Sequence, residues 1–139
     1  MTKKFTPLIV VAAAVSDGSG RWLMHKRPAH KQHGGLWEFP GGKVEADECP
    51  GTALAREIEE EAGIRLDPDE LAETGFAVSC GDESADGIVI LLYTAERWHG
   101  DLEAREGGQF QWFDHAGIAT LDKPPLDVVL ARQLAQKRP

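Results

Sequence analysis

Between Gly42 and Ile64 the chain reads GKVEADECPGTALAREIEEEAGI, and this run admits few local structures. Gly41 and Gly42 open it, permitting a tight backbone approach that a side chain would block. Pro50 and Gly51 stand where a helix would begin and Gly63 where it would stop, predicting a helix that ends at Ala62. At ~100° per residue, Glu61 falls about 40° and Glu60 about −60° from Glu57, so three carboxylates share one arc. Leu54, Ala55, Ile58 and Ala62 form the adjoining apolar arc, which should face a core. No Lys or Arg interleaves with the acids on their own arc.

Like charges at this spacing destabilise a helix by roughly 0.2–0.5 kcal/mol per pair. A hard cation taking oxygen ligands supplies the compensation. Arg56, about 100° away, is placed to pair with a neighbouring Glu and hold it in position. Taken alone, EIEEE describes a solvated helix face more readily than a metal site. The flanks change that balance. Gly42, Glu48, Arg56, Glu57, Glu60, Glu61 and Gly63 stand at fixed intervals, with apolar Ile58 and Ile64 between and after them.

Composition sets the limits. A chain of 139 residues, 42% hydrophobic, suffices for one domain with a real core, spanning 1–139, and is too short for two. A net charge of −8 argues against binding a nucleic-acid polymer, which needs a basic surface. A small anionic substrate remains compatible if metal ions and local Lys or Arg neutralise it. Cys49 and Cys80 have no metal-ligand spacing, which fits a reduced, cytoplasmic compartment. No stretch reaches the ~20 apolar residues of a membrane span. The basic start TKKF before PLIVVAAAV has the outline of a short leader. Val10–Val15 reads better as a buried first strand ending in the turn Ser16-Asp17-Gly18-Ser19-Gly20. Monomer and homodimer are equally compatible with these features.

The remaining pattern is α/β. Residues 6–16 and 21–27 are expected to pair across the Asp-Gly-Ser-Gly turn, and 36–39 to be a short extended piece. Residues 71–79, 88–97 and 109–113 read as strands, with a helical turn near 114–117. Residues 126–136 read as a helix opened by Asp127 as N-cap, with Val129, Leu130 and Leu134 facing inward. These elements allow a mixed sheet with helices on both faces.

The spacing from Gly42 to Ile64 matches the signature of the Nudix hydrolases without a departure. Trp37-Glu38-Phe39-Pro40-Gly41-Gly42-Lys43 resembles the approach to that box in MutT-type members, and Glu96-Arg97-Trp98 with the later Arg105-Glu106-Gly107 loop resembles a second, downstream MutT-type segment. The resemblance implies the Nudix fold, an α/β/α sandwich with a mixed sheet. It implies Mg2+ or Mn2+ held by Glu57, Glu60 and Glu61, joined by the Gly41 carbonyl and by Glu106. Glu106 is the loop carboxylate that binds metal or activates water, with Asp101 and Glu103 as its competitors. Arg56 would orient Glu57, and Glu48 would act as a structural partner beside Gly42 and Gly63. Lys43 and Arg27 would lie near the phosphates, and either Glu60 or Glu106 would take the proton from water.

The implied reaction is hydrolysis of a nucleoside triphosphate to monophosphate and pyrophosphate. Arg27, Phe39 and Asp127 align with positions that contact the base in MutT-type enzymes. MutT itself carries asparagine at the last of these. A Phe and an Arg that MutT supplies to the base are replaced here within Glu83-Ser84-Ala85-Asp86. The Arg-Pro-Ala, Gly-Leu-Trp-Glu-Phe and Pro-Leu-Asp segments also resemble the cytidine-nucleotide branch. Sanitation of 8-oxo-dGTP therefore leads (d)CTP or 5-methyl-dCTP hydrolysis only narrowly. A hydrolase for ADP-ribose or dinucleoside polyphosphates, and a non-catalytic nucleotide-binding regulator, are the further alternatives.

Overall fold

The computed structural model describes residues 4–139. Residues 1–3, part of the basic start, lie outside the described residues. The elements run β1 (Leu8–Val15), β2 (Trp22–Lys26), β3 (Trp37–Glu38), β4 (Gly41–Lys43) and α1 (Pro50–Ala62). They continue with a 3-10 turn (Pro68–Glu70), β5 (Leu71–Ser79), β6 (Ile88–Ala95), β7 (Gln109–Phe113), α2 (His115–Thr120) and α3 (Pro125–Lys137). Two sheets result, one ordered β4-β1-β6-β5 and one ordered β3-β2-β7. In the first, β1 runs parallel to β6 and antiparallel to β4, so that sheet is mixed, as expected.

The burial of β1 explains the sandwich. Val11, Ala13 and Val15 face Leu54, Ile58 and Ala62 of α1, while Ala12 and Ala14 join Leu130 and Leu134 of α3. A strand covered on both sides must be apolar throughout, which is what IVVAAAV supplies. Leu54 and Ile58 are completely buried, and truncating either to Ala would cost ~2–5 kcal/mol. Helix α1 ends where Gly63 adopts a left-handed conformation (φ 76°) and its N–H closes on the Glu59 carbonyl at 3.0 Å.

Three local expectations are corrected. β1 and β2 do not form a hairpin: they share one bridge, Ser16–Trp22, and then enter different sheets. Both edges of β1 are already taken by β4 and β6, so β2 pairs with β3 and β7 instead. Asp127 is not the N-cap of α3. That position is Pro124, and the Asp127 carboxylate is turned away to accept the Phe39 N–H at 3.0 Å. Val129 is 38% exposed, because only Leu130 and Leu134 of the three expected residues point at the sheet. Among the described residues, no helix is long and apolar enough to cross a membrane.

Candidate active site

The acidic arc of α1 lies over β4, and two glycines of that strand make this approach feasible. A Cβ on Gly42 would overlap the Glu57 carboxylate, and one on Gly41 would overlap the Val11 carbonyl of β1. Glycine at both positions therefore lets strand, turn and carboxylate close on one another. Arg56 braces the arc from the side. Its Nε and Nη2 donate to the two Glu48 oxygens at 2.7 and 2.9 Å, while Nη1 donates to Glu57 at 3.0 Å and Glu60 at 3.4 Å. This fork holds the Glu48 carboxyl down at about 2. The expected pairing of Arg56 with Glu57 is thus present, with Glu48 as its anchor.

Glu61 has a different environment. It is 7% exposed, and burial pushes its carboxyl up to about 7. His25 opposes that rise, while Glu38, Glu106 and Glu57 add to it through repulsion. Burial also raises Glu57, which Arg56 offsets and Glu60 and Glu106 reinforce. His25 was not singled out from the sequence. It lies on β2 beside these acids, with Nδ1 3.2 Å from Glu61 Oε1 and 3.6 Å from Glu38 Oε1. Neither oxygen is aligned for a hydrogen bond, so this buried nitrogen has no hydrogen-bond partner. Burial lowers the imidazole pKa, but the two carboxylates reverse this and leave it raised. The one sequence signal for His25 was its alternation with Leu23, which packs toward α1.

Two adjoining cavities share Arg27, Glu38 and Gly41. The smaller, about 90 Å³, is lined by His25, Glu61 and Glu106. The larger, about 220 Å³, is walled by Ala12, Phe39, Ile90 and Asp127, with Lys43 also on its lining. Arg27 does not stand free for an anion: it donates to the Gln32 carbonyl at 2.7 Å and to Glu38 at 3.0 Å. Phe39 is only 3% exposed, so its ring forms part of the wall and offers no open face for stacking. Glu103 is occupied by Arg105 at 2.6 Å, whereas Glu106 opens onto the smaller cavity. The residues 83–86 lie in the loop between β5 and β6 and line neither cavity.

The donor chemistry fits a divalent cation. Glu57, Glu61 and Glu106 repel one another through a partly buried region, and their carboxylates are hard oxygen donors. Among the described residues, no three acidic or imidazole side chains already converge on one point. Glu60, half exposed, is turned to Arg56. Sharing an ion therefore requires these side chains to move.

A family model described as NUDIX domain matches residues 6–134. The chain belongs to the Nudix family. It is 35% identical over 136 residues to the CTP pyrophosphohydrolase of Escherichia coli (strain K12), covering 93% of this chain and 96% of that protein. It is 33% identical over 100 residues to the 8-oxo-dGTP diphosphatase of Proteus vulgaris, covering 72% and 86%. Its fold matches the solution structure of the E. coli ORF135 protein with a TM-score of 0.82 and 31% identity, covering 97% and 95%. This Nudix chain is a hydrolase acting on phosphorus-containing anhydrides, and its family uses divalent metal ions.

Proposed function

We propose that this Nudix chain hydrolyses nucleoside triphosphates to the monophosphate and pyrophosphate with Mg2+, in sanitation of the nucleotide pool. The observation that carries this is the contact between two cavities, one lined by the box carboxylate Glu61 and the other by Asp127. A triphosphate lying across Gly41 places its phosphates by the acids and its base by Asp127. Glu57, Glu60, Glu61, Glu106 and the Gly41 carbonyl hold the cation, and Mn2+ can replace Mg2+. When bound, the ion neutralises phosphate oxygens and makes a water molecule more acidic.

The protein's own groups do the rest. Arg56 keeps Glu57 against the Gly42 turn, and Lys43 offsets phosphate charge at the cavity mouth. Glu60 or Glu106 accepts the proton of the attacking water, Glu106 from the lining of the smaller cavity and Glu60 from beside Arg56. Arg27, held by Glu38 and the Gln32 carbonyl, borders both cavities and adds positive charge near the phosphates without a direct contact. The Asp127 carboxyl has one oxygen on the Phe39 N–H, leaving the other for a polar edge of the base. Both 8-oxoguanine and cytosine offer such an edge. We infer 8-oxo-dGTP as the first substrate. The similarity to a CTP pyrophosphohydrolase favours CTP, and (d)CTP or 5-methyl-dCTP hydrolysis is the second reading.

Glu60→Gln and Glu61→Gln, each tested with Mg2+, should lower kcat at least ~100-fold, on the scale of other lost electrostatic contributions. Full activity in either variant removes that residue from the cation site. A panel of 8-oxo-dGTP, dGTP, CTP, dCTP and 5-methyl-dCTP, ranked by kcat/KM with product analysis, decides the base. Faster hydrolysis of ADP-ribose than of every triphosphate overturns the proposal.

A further inference from the structure

His25, the penultimate residue of β2, is 6% exposed, and its ring lies 4.6 Å from that of Phe110, centroid to centroid. Its two nitrogens reach different parts of the molecule. A carbonyl only accepts, so the 3.2 Å contact between Nε2 and the Gly107 carbonyl makes Nε2 the donor. Nδ1 faces Glu61 at 3.2 Å. The Glu61 backbone carbonyl in turn accepts the Arg105 N–H at 3.0 Å. These contacts close a circuit from α1 through Arg105, Glu106 and Gly107 to β2 and back to the Glu61 carboxylate. Glu106 lies between the two anchored residues. Gly108 lets the loop lie flat on the imidazole, since a Cβ there would press into Nε2.

We propose that His25 is a positioning residue that fixes the Glu61 carboxylate and the Glu106 loop relative to each other. This rests on the assignment of Glu61 and Glu106 to the cation site. Pairing one imidazole with both gives the cavity a fixed width between carboxylates contributed by segments far apart in the chain. Outer-shell partners of metal ligands typically carry 10–100-fold in affinity or activity.

The two nitrogens can be tested separately. His25→Asn keeps a polar atom near Nδ1 and vacates Nε2, while His25→Gln does the reverse. His25→Asn should speed amide exchange across residues 105–108 and lower kcat about 10-fold, with KM changed less than about 2-fold. His25→Gln should keep the loop protected yet weaken Mn2+ binding, measured by electron paramagnetic resonance, about 10-fold. Wild-type Mn2+ affinity and kcat in both variants overturn the inference, as does an equal loss of stability and Mn2+ affinity in both. Glu61→Gln separates the two levels. If it binds Mn2+ normally, the cation-site assignment itself fails; if it alone loses Mn2+, only the role of His25 fails. Should the His25 variants not fold, 15N spectra of labelled histidine in the intact protein still decide. A protonated Nε2 with an Nδ1 resonance that moves with Mg2+ supports the inference, and an unprotonated Nε2 or unmoved resonances overturn it.

Discussion

At position 127 a carboxyl group is 5% exposed, with one oxygen on the Phe39 N–H at 3.0 Å. Burial pushes it up to about 7, reinforced by Glu38, while the Phe39 N–H, Lys123 and Arg27 pull the other way. The unfolded chain releases this proton near 3.8, so between these values the native state binds more protons. Stability from Asp127 is therefore complete below about pH 4, declines as pH rises to about 7, and is flat above. Asp127→Asn retains an acceptor for Phe39 and has no proton to lose. Relative to wild type it should gain about 3 kcal/mol between pH 4.5 and pH 8, read from urea unfolding at each pH. An unchanged difference at the two pH values would mean that this carboxyl is ionised in the folded protein. The sequence marked position 127 because it opens a helix. Its real partner, a backbone N–H on another element, left no local trace.

One level up, the exposed edge of the first sheet is closed by a side chain from α3. Gln133 accepts the Phe76 N–H at 2.9 Å and donates to the Phe76 carbonyl at 2.8 Å, imitating one rung of a neighbouring strand. Gly75 makes room, because a Cβ there would overlap the Gln133 amide. Gln133→Leu keeps the helix but loses both bonds. Water can reach this edge, so the cost should be about 1 kcal/mol, lowering Tm by roughly 3–4 °C. A melting curve identical to wild type refutes the bridging role. The same elements show what a sequence can disclose. Helices α1 and α3 were legible because periodicity and their Pro and Gly boundaries are local signals. The partner of β2 was not, since it depends on which edges of β1 other strands occupy. β4 is three residues of Gly-Gly-Lys, too short for any alternation to register. The box carboxylates were legible through spacing. His25 was not, because its contacts come from Glu38, Glu61 and Gly107.

Across the whole molecule the site is where the two sheets meet: β4 belongs to the first, β2 and β3 to the second, and α1 covers the junction. Folding forces Glu38, Glu57, Glu61 and Glu106 close enough to repel in a chain whose net charge is already −8. In the unfolded chain these acids are far apart and solvated. A cation that binds only the assembled site must therefore stabilise the fold, by about 2.7 kcal/mol when Mg2+ is 100 times its Kd. For a domain of this size that corresponds to a rise in Tm of roughly 5–10 °C. General screening of a −8 surface would also favour the folded state, so Na+ at matched ionic strength is the control. Mg2+ should raise Tm well beyond Na+, EDTA should reverse the rise, and Glu61→Gln should lose most of it. An equal effect of the two salts would show that the acids act only as diffuse charge. An undiminished Mg2+ effect in Glu61→Gln would place the stabilising ion elsewhere on the molecule.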